Sequence, residues 1–281
     1  AIRETLALAR HCDALGYHRY WVSEHHNSGN IVGTAPEVLM AAIAAITPRI
    51  RVGSAGVMLP HYSSLKVAEQ FRVLEAIAPG RIDFGFGRAP GSDGLTSHAL
   101  NPHEENVLES FPRQVQEMQY WLSGTPLPDG HPYRKITAQP TGPGMPDMWV
   151  LGSSDYGAQL AAYFGLPYAF AYFFATGTPV ERVLELYRKS YRPSERYPKP
   201  QCTICVWALA ADSEDEAWHL FRSRERASVN REFGIRVPLL SPEEVLAKGY
   251  TPAEEAVAER IRKKSMVGNA AQVADKLNAM A

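Results

Sequence analysis

The chain alternates two rhythms, and that alternation constrains its fold more than any other feature. "IRETLALARHCDALG" has the apolar spacing of a helix and stops at Gly16, a residue suited to the left-handed turn that closes helices. "YHRYWVSEH" then reads as a strand, "APEVLMAAIAAIT" as a helix with Pro36 in its first turn, and "IRVGSAGVML" as a strand. "SLKVAEQFRVLEAIAPG" is helical, and "RIDFGFGRAPG" is a strand running into a loop. "EENVLESFPRQVQEMQYWLSG" reads as a helix interrupted near Pro112. The second half keeps the beat with strands at "DMWVLGSS", "LPYAFAYF" and "CTICVWALAAD". Helices follow at "DYGAQLAAYFG", "TPVERVLELYRKSY", "SEDEAWHLFRSRERASVN" and, last, "NAAQVADKLNAMA".

Strand–helix–strand units lay parallel strands side by side through right-handed crossovers. The reading yields about six strands, where a closed barrel needs eight. The sequence opens and closes on helices. The expectation is therefore an α/β chain, a (β/α)8 TIM barrel with insertions, forming a single domain over residues 1–281 whose first and last strands are missing from this sequence. The alternative, an open doubly wound sheet, would call for a G-x-G-x-x-G turn between a strand and a helix, and none is found. Two stretches break the rhythm: Thr125–Pro146, rich in Pro and Gly, and Arg231–Gly268. Long connections of this kind in a compact domain commonly serve as lids or binding loops.

Charge and cysteine content narrow the function. With 29 basic and 30 acidic residues the net charge is -1, so there is no basic excess to displace counterions from nucleic acid. The longest apolar runs, such as "VLMAAIAAI", fall short of the roughly 20 residues that cross a bilayer, and the charged opening "AIRETLALAR" does not read as a signal peptide. Three cysteines point to a reducing, cytoplasmic setting. Cys202 and Cys205 form a C-x-x-C in a β-like segment, where residues three apart face opposite sides. With no second pair to complete a zinc site, they read as strand cysteines.

Sites in parallel α/β sheets form where the strands end. The first strand ends in Glu24, His25, His26 and Asn27, and the second leads to Ala55, Gly56 and His61. The third ends in Gly85, Gly87 and Arg88 with Asp93 beyond, and the fourth in Gly152, Ser153 and Ser154 with Tyr156 following. Small residues, hydroxyls and one arginine thus meet at one rim. That set suits a flat ring lying on bare backbone, with an anionic tail held by Arg88 and Ser154. Adjacent histidines on a strand face opposite ways and do not easily share a metal, so one should face the mouth and the other pack behind it. "GSSD" also reads as a plain helix start with Ser154 or Asp155 as N-cap.

The stretch "RYWVSEHHN…APEVLMAAIAAITPRIRVGSAGVMLPHYSSLKVAEQFRVLEAIAPGRIDFGFGRAPGSD", with "WVLGSSDYGAQLAAYFGLPYAFAYF" further on, resembles the bacterial luciferase-like monooxygenase family, in particular its small flavin oxidoreductases. The resemblance implies a (β/α)8 barrel holding reduced FMN at its mouth. It places His25 beside the reactive part of the flavin as a proton donor and acceptor. It implies an unusual cis peptide at Ala55–Gly56 under the flavin ring, and a phosphate held by Arg88, Ser153 and Ser154, with Tyr156 close by and Gly87 and Gly152 beside them. It further implies dioxygen and a small organic substrate, an NAD(P)H:flavin reductase that supplies the reduced FMN, and a homodimer. Luciferases carry a reactive thiol where this chain has Gly87, which argues against light emission but not against flavin binding. Three other readings stay open on the residues: hydride transfer by a deazaflavin, a barrel that binds flavin without turnover, and a metal-dependent hydrolase using His25, His61 and a carboxylate such as Glu24 or Asp93.

Overall fold

The structure, a computed structural model, describes residues 1–102, 107–174, 179–235 and 237–280. In chain order the elements are α1 (Ile2–Ala14), β1 (Arg19–Val22), α2 (Pro36–Ile46), β2 (Arg51–Ser54), β3 (Val57–Met58), α3 (Ser64–Ile77), β4 (Ile82–Gly87), α4 (Gly94–Leu100) and α5 (Val107–Ser123). Then come β5 (Asp147–Gly152), α6 (Asp155–Tyr163), β6 (Tyr168–Ala171), α7 (Val180–Ser190), β7 (Cys202–Cys205), β8 (Ala208–Ala211), α8 (Glu214–Glu232), α9 (Pro242–Lys248), α10 (Pro252–Lys264), β9 (Met266–Asn269) and α11 (Ala270–Asn278). Two compact units result, one of Ala1–Ala169 with Glu181–Thr203, the other of Phe170–Val180 with Ile204–Ala281.

The larger sheet follows the order β1-β2-β4-β5-β6-β7, with β3 paired to β4 off the main path, and this path does not close on itself. Strands β1 through β5 pair in parallel, with Val22 opposite Ser54 and Phe86 opposite Val150. This is the curled parallel sheet of a TIM barrel, its helices returning along the outside. Alternation along β4 shows how the sequence achieves it. Phe84 and Phe86 point to the helices and are fully buried, with Phe71 of α3 4.4 Å from Phe84 and Phe111 of α5 6.1 Å from Phe86, ring centre to ring centre. Asp83 and Gly85 point the other way. A side chain at residue 85 would stand 2.0 Å from the Ser54 carbonyl oxygen, so only glycine lets β2 and β4 approach this closely.

The N-terminal ends of the strands are tied by charge. Asp83, with no exposed surface, accepts from Arg19 Nε (3.0 Å), Trp21 Nε1 (2.8 Å) and Arg51 Nη2 (2.6 Å). Arg51 continues to Asp147 at 2.7 Å, and Arg196 binds the other oxygen of Asp147 at 2.8 Å.

Several sequence expectations change. Helix α5 runs through Pro112 without interruption. Proline costs about 3 kcal/mol inside a helix, and burial of Phe111, Val115 and Met118 on the sheet, at about 1.5–3 kcal/mol each, offsets it. "IRVGSAGVML" divides into β2 and β3 around a cis Ala55–Gly56 bond. "CTICVWALAAD" is two strands in different sheets, because β8 pairs in parallel with β9, a strand that begins inside the stretch read as an insertion. The Thr125–Pro146 excursion is not a lid over the mouth. It joins α5 to the start of β5, the strand end opposite His25, and its last part is held by Arg72, whose buried guanidinium donates to the carbonyls of Leu122, Pro140, Gly142 and Gly144 at 2.8–2.9 Å.

The second unit builds its own core from Ala217 and Phe221 of α8 and Val267 of β9, against which Trp207, Leu209 and Trp218 pack. Helices α9, α10 and α11 each begin with a capping box, at Ser241 and Glu244, Thr251 and Glu254, and Asn269 and Gln272. Among the described residues no helix is long and apolar enough to cross a membrane.

Candidate functional site at the strand ends

Past the end of β1, Glu24 turns inward and is almost fully buried. Its carboxylate is satisfied by three donors: Met58 N (2.9 Å), the Tyr62 hydroxyl (2.5 Å) and His26 Nε2 (2.7 Å). Burial, and then the hydrogen bond to Glu24, drive the Tyr62 phenol far above its ordinary range, so it stays a donor. The two histidines lie beyond β1, which ends at Val22, so the turn of the loop and not strand alternation sends them apart. His26 packs onto the Glu24–Tyr62 pair. His25 reaches across to the loop after β4, its Nδ1 3.1 Å from the Gly91 carbonyl oxygen. A carbonyl only accepts, so Nδ1 carries a hydrogen toward it, and in the neutral ring the lone pair is on Nε2. The backbone of His25 is fixed as well, by its N–H on Gly33 O at 2.8 Å. Asn27, the one non-glycine residue with positive φ (51°) among those described, sends its amide to Asp93, which caps α4.

Strands β2 and β4 supply a floor of backbone. Ala55 N donates to Val22 O, tying the cis Ala55–Gly56 turn to β1. A side chain at Gly56 would stand 2.8 Å from the Gly85 carbonyl oxygen. Ser54 Oγ donates to Gly85 O at 2.6 Å and accepts from Gly85 N at 3.0 Å. Gly87 differs: an added Cβ would meet only Leu151 O, at 3.6 Å. His61 is no part of the open rim. It is buried and bonds the Pro90 carbonyl at 2.8 Å.

The third component is cationic. The Arg88 guanidinium lies over the Tyr156 ring, its Cζ 3.9 Å from the ring centre. Among the described residues no carboxylate lies within ion-pair distance of it. Tyr156 is in the first turn of α6, whose N-cap is Ser154, yet the Ser154 hydroxyl makes no capping bond. The caps Ser63, Asp93 and Ser213 of other helices do make one. The N-terminus of α6 therefore keeps unsatisfied N–H groups and spare hydroxyls from Ser153 and Ser154. Asp155 in the same turn is neutralised by Arg182, at 2.8 and 2.9 Å. Gly152 and Gly157 make room for Tyr168, whose hydroxyl donates to Ser154 O.

The predicted rim is thus assembled in pairs. His25 meets the loop that begins at Arg88, Arg88 meets Tyr156, and Gly56 meets Gly85. Among the described residues no bond joins His25 directly to Arg88. Sequence reading missed Tyr62, Gly91 and Tyr168. Tyr62 in "PHYSS" carried a signal, since a phenol beside a strand-end carboxylate is a candidate partner for it. Gly91 acts through its backbone, which no residue type announces. No three His, Cys, Asp or Glu side chains among the described residues gather as metal ligands would.

A family model described as luciferase-like monooxygenase matches residues 1–281. A protein of Escherichia coli strain K12 named luciferase-like monooxygenase is 41% identical over 274 residues, covering 97% of this chain and 80% of its own. The N-acetyl-S-alkylcysteine monooxygenase of Bacillus subtilis is 36% identical over 250 residues, covering 88% and 73%. The crystal structure of apo-MsnO8 superposes with a TM-score of 0.87 at 34% identity, covering all of this chain and 83% of that one. Two more distant structures share the fold alone. One is the oxygenating constituent of 3,6-diketocamphane monooxygenase from Pseudomonas putida in complex with FMN (TM-score 0.68, 21% identity, 99% and 82% covered). The other is an F420-dependent secondary alcohol dehydrogenase (TM-score 0.71, 18% identity, 99% and 85% covered).

Proposed function

The chain belongs to the luciferase-like monooxygenase family, whose members are oxidoreductases, and from that premise we propose that it binds reduced FMN and uses it with dioxygen to oxidise a small organic molecule. The observation that carries the cofactor is Arg88: a guanidinium with no carboxylate partner among the described residues, laid on Tyr156 at the open start of α6. That geometry fits a phosphate monoester, with Arg88, Ser153, Ser154 and the first N–H groups of α6 sharing its charge. The bare backbone of Ala55, Gly56 and Gly85 fits a flat ring, and Gly87 and Gly152 leave space beside it.

FMN would supply the electrons and the oxygen chemistry. The chain's own part is positional and protonic. Glu24, held by Tyr62, Met58 and His26, fixes the turn from which His25 projects. Gly91 holds the imidazole so that Nε2 is the nitrogen that accepts and returns a proton at the reacting edge. A separate NAD(P)H:flavin reductase provides the reduced cofactor, and the protein works in the cytoplasm. The exposed Val38, Val73 and Ile77 of α2 and α3 border a groove with Ala41, Gln139 and Pro140, which a second copy covers in a homodimer.

Anaerobic titration with FMN, reduced FMN and a reduced deazaflavin tests the reading. Saturable 1:1 binding of reduced FMN, tighter than that of the deazaflavin, and oxygen uptake with NAD(P)H and a flavin reductase in the presence of a substrate are expected. Preference for the deazaflavin would move the chemistry to hydride transfer, and no binding of either would end the proposal.

A further inference from the structure

The carbonyl that holds His25 belongs to a glycine, and glycine is a loose support. Gly91 sits at φ +59°, in the left-handed region, and a residue without Cβ passes as readily to negative φ. Were it free to do so, its carbonyl would swing and the bond to His25 Nδ1 would be lost. The flanks of the loop are tied: His61 Nε2 donates to Pro90 O at 2.8 Å, and the Asn27 amide donates to Asp93 at 3.1 Å. Neither bond reaches Gly91 itself. What meets Gly91 is one side chain. A Cβ built there would stand 2.5 Å from Met58 Cε, 3.0 Å from Sδ and 3.2 Å from Cγ, so the thioether fills the space that a side chain at 91 would occupy.

Met58 is itself anchored. It is buried in the two-residue strand β3, where it pairs with Gly87 of β4, the residue before Arg88. Its backbone N–H donates to Glu24 Oε2 at 2.9 Å, and Glu24 is the residue before His25. One residue therefore touches both supports of the imidazole. Its main chain fixes the turn that carries His25, and its side chain packs on the acceptor that His25 reaches. An unbranched thioether suits this place, since it extends into an irregular gap that a β-branched residue does not reach.

We infer that Met58 is a positioning residue for His25: its side chain pins Gly91, and through the Gly91 carbonyl it holds the neutral imidazole as the Nδ1–H tautomer. A neutral imidazole without a fixed partner can carry its hydrogen on either nitrogen, so the tautomer is set by what the ring meets. The inference rests on the reading of His25 as the proton-transfer group for its functional meaning, and on this chain's own contacts for the rest.

The experiment reads the tautomer directly, in the full chain without flavin. Protein labelled with ¹⁵N at histidine is followed by long-range proton–nitrogen NMR at about pH 8.5, where an ordinary imidazole is neutral, and H25Q assigns the His25 signals. The wild type is expected to carry the hydrogen on Nδ1. In M58A the ratio of Nδ1–H to Nε2–H should fall by at least about fivefold, the weight of one hydrogen bond. M58L keeps apolar bulk against Gly91 and should change the ratio by less than about twofold. Should M58A fail to fold, M58V, which keeps an apolar residue in the strand and loses the reach to Gly91, decides in its place. An unmoved ratio in the folded variant, or a wild type with the hydrogen on Nε2, overturns the inference. So does a loss in M58L as large as that in M58A, because bulk at residue 58 would then not be the cause. FMN titration of the same samples keeps the two claims apart. Absence of FMN binding ends the flavin reading and leaves the tautomer result standing, whereas an unmoved tautomer with FMN bound ends this inference alone.

Discussion

Replacing Asp83 by Asn should cost the protein much of its stability and none of its cofactor affinity. Asp83 is fully buried and satisfies Arg19, Trp21 and Arg51 at once. Breaking a buried pair from one side costs about 3–5 kcal/mol, because the remaining charge is left without compensation. Two features moderate the figure. Arg51 keeps Asp147 at 2.7 Å, and the Arg19 side chain is 32% exposed, so water takes over part of its solvation. About 3 kcal/mol remains, which for a chain of this size lowers the melting temperature by roughly 6–12 °C. Along β4, Asp83 lies four residues before Gly87, about 13 Å from the mouth at the usual rise per strand residue. FMN affinity of the folded fraction should therefore stay within about twofold, a difference of only some 0.4 kcal/mol. Thermal unfolding followed by circular dichroism, paired with FMN titration at 15 °C, measures both. A drop of under 2 °C would show that the network behaves as an exposed ion pair. A large loss of FMN affinity would show that the two strand ends are not independent.

Arg88→Ala should weaken FMN by about 1.5–3 kcal/mol, one charge-assisted bond, with little change in stability; equal affinity by fluorescence titration would remove Arg88 from the phosphate site. His25→Ala should leave FMN binding within about twofold while lowering turnover by roughly 10²–10⁴, the range of general acid–base catalysis, and a normal rate would dismiss the imidazole. Glu75 adds a pH dependence: burial raises its pKa against the opposing bond from Gly80 N. A raised folded pKa means that its contribution is fully present below the unfolded value and is lost as pH rises through the folded one. E75Q should thus gain on the wild type between pH 4 and pH 7 in urea midpoint, and a constant gap across that range would contradict the assignment.

Much of this was legible in the residues because periodicity reports burial. Phe84 and Phe86 alternate with Asp83 and Gly85, and the alternation alone placed β4. The candidate rim residues follow from what each strand ends in, because the loops after parallel strands share one face of the sheet. Three things were not legible. Strand β9 begins inside the stretch read as an insertion, and its identity rests on pairing with β8, a contact set by residues more than 50 positions away. The continuity of α5 through Pro112 was decided by packing, against local propensity. The place of Thr125–Pro146 depended on which end of the sheet it connects, and composition is silent on that. The bonds from Asp83 to two arginines and a tryptophan were equally hidden, since the partners come from β1 and β2, at least 32 positions away in the chain.

Gly85 and Gly56 have a consequence for how such a protein can change. A methyl at either position collides with main-chain atoms of a neighbouring strand, and main chain cannot swing aside as a side chain can. The floor where β2 meets β4 is therefore closed to adjustment by point substitution. Diversification has to enter from the walls, above all at Gly87, where an added carbon meets nothing nearer than 3.6 Å.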